Sequence, residues 1–210
     1  MSLYNRIDLI QLRPDISAEQ RERLLRQAAP HGTQSLLRPT LPGVYNGGDL
    51  LWKSQGRDAA ALPSPPVDAG LVAHVDTAVY QDGESGGDWN GPGIYRALLL
   101  SLKPGATPEA IARFECEVLA MPRYIGAIRA WRLSRVAQAS GARHWSHVWE
   151  QRYDTLEGLT TTYMLHPYHW AWVDRWFDPE SPDWIVDTHL CHSFCALDSM
   201  LSPLPHAGEG

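Results

Sequence analysis

The hydrophobic pattern is clearest in the second half of the chain, where its period changes several times and each change marks an element. Gly93 to Lys103 (GIYRALLLSLK) is a nearly continuous apolar run, as expected of a buried strand. Ile111, Phe114, Val118 and Met121 then recur at helical spacing. Thr107 caps that helix, Pro108 suits its first position and Glu109 its positive end. Ala127 to Ala137 reads as a second strand, with Arg129 and Trp131 on one face, and His147 to Tyr153 as a third. A further helix follows, with Asp154 as N-cap, Glu157 in the capping-box position and an inward stripe of Leu156, Leu159 and Tyr163. Pro167 ends it and starts another, with His166 near the cap. In that second helix His169, Trp172, Val173 and Trp176 share the inward face. Trp184 to Cys195 alternates as a fourth strand. The order β-α-β-β-α-β predicts an α+β, ferredoxin-like unit: an antiparallel sheet with helices on one face and the other face bare.

A shortened copy of this pattern precedes it. Leu12-Arg13-Pro14 followed by Ser17-Ala-Glu19 matches Leu102-Lys103-Pro104 followed by Thr107-Pro-Glu109, and Trp52-Lys53 recurs as Trp131-Arg132. The first copy is expected to keep strand, helix, strand and strand, with residues 72–80 as the third strand. The alternative makes that segment the fourth. The division is then a degenerate repeat at 1–82, a glycine-rich flexible linker at 83–92, a complete repeat at 93–200 and a disordered tail at 201–210. Each repeat of about 100 residues buries a modest core alone, so the two bare sheet faces are expected to pack together within the chain. A shortened first copy leaves an edge through which whole chains can pair as a homodimer.

Composition narrows the partners. The net charge of −6 and the lack of a Lys/Arg run argue against nucleic acid or an anionic membrane. No segment approaches the ~20 apolar residues of a membrane span. Three cysteines form no disulfide framework, and the start has no signal-peptide core; both suit the cytoplasm. His189, Cys191, His192 and Cys195 are metal-capable types, but strand alternation sends His192 away from the other pair of neighbours. Neither a metal site nor a dinucleotide loop is expected, and no cofactor.

The candidate chemistry lies in Tyr163-Met-Leu-His166-Pro167-Tyr-His169, which sets a phenol and two imidazoles within seven residues. His147, opening the third strand, is placed to reach the same cavity. Arg96 is a candidate for an anionic substrate group, and Trp172 for a pocket wall. Each has a structural alternative: a cap for His166, a hydrogen-bonded core residue for His169, a surface pairing for Arg96.

Over Tyr95 to Phe194 the chain resembles the stress-responsive α/β-barrel (Dabb) domain family. The carriers are the Leu102-Lys103-Pro104-Gly strand exit, the Met121-Pro122 helix end, Ser146-His147 and the Tyr163-to-His169 motif. The first copy resembles the family over its opening strand and helix only. The resemblance implies two sheets joined as an α/β barrel, here within one chain as a pseudo-dimer. One family member, a polyketide cyclase performing an intramolecular aldol condensation, has a Tyr and a His at this spacing. That implies His169 as general base and Tyr163 as its orienting or polarising partner. Two main function classes follow. One is a cofactor-free cyclase, isomerase or lyase acting on a small apolar, aromatic or polyketide-like compound. The other is a non-catalytic, stress-associated or ligand-binding barrel. A haem-handling or oxygenase role is a third, with no clear haem-ligand context to support it.

Overall fold

The structure, a computed structural model, describes residues 3–27 and 35–198. The expected tail at 201–210 lies outside them. Eleven elements organise the fold: β1 (Tyr4–Leu12), α1 (Ala18–Gln27), β2 (Ser35–Pro39), β3 (Leu50–Gly56), β4 (Val72–Gln81), β5 (Glu84–Gly87), β6 (Gly93–Leu100), α2 (Pro108–Tyr124), β7 (Ala130–Ser140), β8 (His147–Tyr153) and β9 (Cys191–Leu197). All strands belong to one antiparallel sheet, ordered β2-β3-β1-β4-β7-β8-β6-β9, with β5 beside β7.

Within this order each half repeats one arrangement. The first strand is central, flanked by the third and fourth, and the second pairs with the third. Residues 72–81 are therefore the fourth strand of the first half, paired antiparallel with β1, and not the third as the spacing was read. The short strand Ser35–Pro39 is the second, which moves Trp52-Lys53 into the third. By register, Trp52 opposite Asp8 corresponds to Trp149 opposite Leu98, so Lys53 corresponds to Glu150 and not to Arg132. Between β3 and β4 the first half has two short 3₁₀ turns, Ala59–Ala61 and Ala69–Leu71, where the second half has its helical segment.

The stretch expected to be a flexible linker forms β5, paired with β7 from Glu84↔Leu133 to Gly87↔Ala130. Its glycines allow close approach. Gly87 has φ +79, and a Cβ there would lie 2.2 Å from the Arg129 carbonyl oxygen. Composition signals glycine; the reason here is contact and not slack.

Three cores result. One lies under α2 and the following helical turns, around Phe114, Val118, Met121, Trp149 and Trp176. A smaller one lies under α1, around Leu24 and Trp52. The third fills the space enclosed by the curled sheet and takes residues from both halves, among them Ile7, Leu51, Tyr80, Tyr95, Val148 and Cys195. The halves meet along two seams. On one, β4 pairs with β7 from Thr77↔Ser140 to Tyr80↔Val136. On the other, the segment after β2 runs beside β9 through bridges Thr40↔Cys195 and Tyr45↔His192.

The fourth strand of the second half starts at Cys191, later than the alternation at Trp184 implies. The Ile185 and Val186 amides instead donate to the Trp176 carbonyl, which ties this segment to the helical side. Among the described residues no helix is long and apolar enough to cross a membrane.

Candidate functional site

The chain between β8 and β9 is wound more loosely than the 3.6-residue period assumes. Gly158–Tyr163 and His169–Val173 are π-helical turns. Such turns are uncommon and recur at functional sites. The first is capped by Thr155, whose hydroxyl accepts from the Gly158 amide at 3.1 Å. Asp154, expected as the cap, pairs with Arg129 at 2.6 Å and Arg152 at 3.3 Å instead. The turns bury Leu159 and Tyr163, then His169 and Val173, each pair four apart. Trp172, three residues after His169, is thereby rotated outward and is 49% exposed. It stacks on Tyr168 and carries Arg175 over its ring. It is not a pocket wall.

Tyr163 and His169 meet edge to face, ring centres 4.7 Å apart. They border a cavity of about 230 Å³ between β6, β8 and the helical layer. Leu98, Leu100, Val118, Met121, Trp149 and Val173 make its apolar walls; Arg96, Tyr163, His169, Asp174 and His192 are its polar groups. His169 Nδ1 stands 3.0 Å from Asp174 Oδ1 but is not aligned for a hydrogen bond.

Arg96 is the centre of the polar wall. β6 turns its side chain toward the helices, and it is buried rather than paired at the surface. Nη1 donates to the Tyr163 hydroxyl at 3.2 Å and to Gln151 Oε1; Nε donates to His192 Nε2 at 2.7 Å. Burial, the Arg96 charge and His169 together hold the His192 imidazole down to about 2, so it is neutral. Accepting at Nε2, it carries its proton on Nδ1. The segment of the first half beside β9 fixes this histidine: Tyr45 and His192 exchange both backbone hydrogen bonds, at 2.9 and 2.8 Å.

The other expected site residues lie elsewhere. His147 does not line the cavity. It packs edge to face on Phe114 and contacts Glu115 at 3.0 Å, on the far side of α2's buried stripe. Burial pushes its pKa below the ordinary imidazole value, with Glu115 opposing. His166 is a cap: its Nδ1 accepts from the Tyr168 amide at 3.1 Å. His189, Cys191, His192 and Cys195 disperse, the two cysteines into the shared core, His192 to Arg96 and His189 against Trp145. Among the described residues no group of three or more metal-capable side chains converges. Asp174, Gln151 and His192 are the members that motif reading missed. Alternation along β9 carried a signal for His192, because it shares the helix-facing side with Phe194.

Residues 94–187 match the family described as Stress responsive A/B Barrel Domain. No curated protein matches the sequence. Among solved structures, an anthrone oxidase-like protein is similar at TM-score 0.61 and 10% identity, covering 99% of this chain and 96% of that one. A putative monooxygenase from Lactobacillus acidophilus NCFM is similar at TM-score 0.48 and 7% identity, covering 97% and 100%.

Proposed function

We propose that the chain, whose residues 94–187 match the stress-responsive A/B barrel domain family, binds a small apolar or aromatic carbonyl compound in the Tyr163/His169 cavity and moves a proton on it without a cofactor. The supporting observation is the edge-to-face contact of Tyr163 and His169 on one apolar cavity, with Arg96 on the Tyr163 hydroxyl. In this reading Asp174 orients His169 through Nδ1 and leaves Nε2 as general base for a proton next to the carbonyl. Alignment tightening on substrate binding is usual for such contacts. The Tyr163 hydroxyl accepts from Arg96, which strengthens it as a donor to the developing enolate oxygen. The outcome is a cyclase, isomerase or lyase step. The small cavity volume, below the roughly 300–1,000 Å³ of drug-sized sites, fits a compound of one or two rings.

The first half, residues 1–82, is read as a degenerate copy that completes an intrachain pseudo-dimer; its matching strand order supports this. It has no counterpart of the Tyr163-to-His169 motif, so each chain has one site. Three free cysteines, two of them buried, support a reducing compartment such as the cytoplasm. The likeness to an anthrone oxidase-like protein, at 10% identity, bears on architecture and not on reaction.

The test is exchange of the α-protons of small aryl ketones and diketones in deuterated water, followed by NMR. The wild type accelerates exchange, His169→Ala removes the acceleration while circular dichroism is unchanged, and Tyr163→Phe slows it by about 10²-fold. Equal exchange by wild type and His169→Ala discards proton transfer and leaves ligand binding.

A further inference from the structure

Arg96 is a buried cation with no anion. Its partners are an amide oxygen, a neutral imidazole and the phenols of Tyr163 and Tyr153, none of them charged, and among the described residues it forms no ion pair. The other deeply buried cations differ: Lys53 faces Glu150, and Arg152 faces Asp154. An uncompensated buried charge is costly, so a site that keeps one has a use for it. His192 gives no relief, since it is neutral there.

The hydrogen-bond inventory points the same way. Arg96 Nη2 makes no hydrogen bond. The Tyr163 hydroxyl accepts from Nη1, so its own proton has only the Met121 sulfur at 4.0 Å. The neighbouring buried polar atoms without a partner include Gln151 Nε2 and Trp149 Nε1, both able to donate, while the Tyr153 hydroxyl lies against Arg96 itself. Donors outnumber acceptors around a positive charge, at the wall of a mainly apolar cavity whose single carboxylate, Asp174, lies against His169 and forms no ion pair with Arg96.

We propose that the ligand of this cavity enters as an anion: a small aromatic or apolar carboxylate, its charged end on Arg96 and Tyr163 and its body against Leu98, Val118 and Trp149. The proposal rests on the cavity being the binding site, as in the preceding section, and adds the substrate class. A carboxylate supplies the acceptors that the donors lack, and a guanidinium offers it charge-assisted hydrogen bonds.

The experiment is calorimetric titration of the full chain with matched pairs: benzoate, phenylacetate and cinnamate against their primary amides, at constant ionic strength. At least one carboxylate binds about 10- to 100-fold more tightly than its amide, the span expected of a charge-assisted hydrogen bond. Arg96→Gln removes that preference, and Arg96→Lys retains part of it. Should Arg96→Gln fail to fold, the wild-type pairs and Arg96→Lys still decide. Amides binding as well as or better than carboxylates overturns the anion and leaves the cavity as a binding site. Equal carboxylate affinity in a folded Arg96→Gln overturns the role of Arg96. No binding of any carboxylate at millimolar concentration also overturns the proposal, while α-proton exchange on neutral ketones would leave the proton-transfer reading intact.

Discussion

His166 and His169 stand three residues apart in one motif and do different things. His166 spends its Nδ1 on the Tyr168 amide, while His169 faces Tyr163 across a cavity. His166→Ala is therefore expected to cost about 1 kcal/mol, the usual value of a helix cap, without changing ligand affinity. Thermal melts and a titration on the same variant check both halves of that statement; a large loss of affinity would make His166 a ligand contact. The motif itself was legible in the sequence, as were the inward positions of Tyr163 and His169. Trp172 was misread because counting at 3.6 residues per turn cannot reveal a π turn, which depends on how the backbone seats against the sheet. His147 was misread because strand position gives the side of the sheet and not the distance along it.

At the scale of elements, β3 and β8 face each other across the shared core through Lys53 and Glu150, both almost fully buried. Tyr95 donates to the same carboxylate oxygen at 2.6 Å, and Arg132 lies 3.7 Å from the other. Burial pushes the Glu150 carboxyl up, but Lys53, Arg132 and Tyr95 outweigh it and hold it at about 2. Burial also pulls Lys53 down, with Glu150 opposing. The carboxylate is the better secured charge, since two cations and a phenol face it. A folded value below the unfolded one of about 4.5 means a stabilisation present above that pH and lost as pH falls toward 2. Denaturant melts between these limits should follow that fall, and Glu150→Gln should flatten it. Lys53→Met alone is expected to cost about 3–5 kcal/mol, and adding Glu150→Leu to recover much of it. A double-mutant cycle measures the difference; additive losses would mean that the two do not interact. Sequence comparison matched Lys53 with Arg132 because both follow a tryptophan. The register that sets Lys53 against Glu150 depends on Ser35–Pro39, a strand too short to announce itself by pattern.

For the molecule as a whole, the ferredoxin-like order of the second half was readable because its period changes are clean and its helix start carries a cap and a proline. The first half was less readable because a helical segment is replaced by short turns, and what remains has the same strand order without the same landmarks. How the halves join was beyond local pattern altogether. Seams such as Thr77↔Ser140 and Tyr45↔His192 link residues far apart in the chain, and nothing in either stretch specifies the other.

Those two seams have a kinetic and thermodynamic consequence. Where a ring of strands is built from separate chains, its formation is a bimolecular event and its midpoint of unfolding climbs with concentration. Here both seams close within one polypeptide, so the reaction that makes the site is first order. The melting temperature is expected to stay constant across a roughly hundredfold dilution series, and refolding rates with it. A midpoint that drifts downward on dilution would mean that a second chain contributes to folding. With a constant midpoint, His192 and Arg96 remain assembled at any dilution.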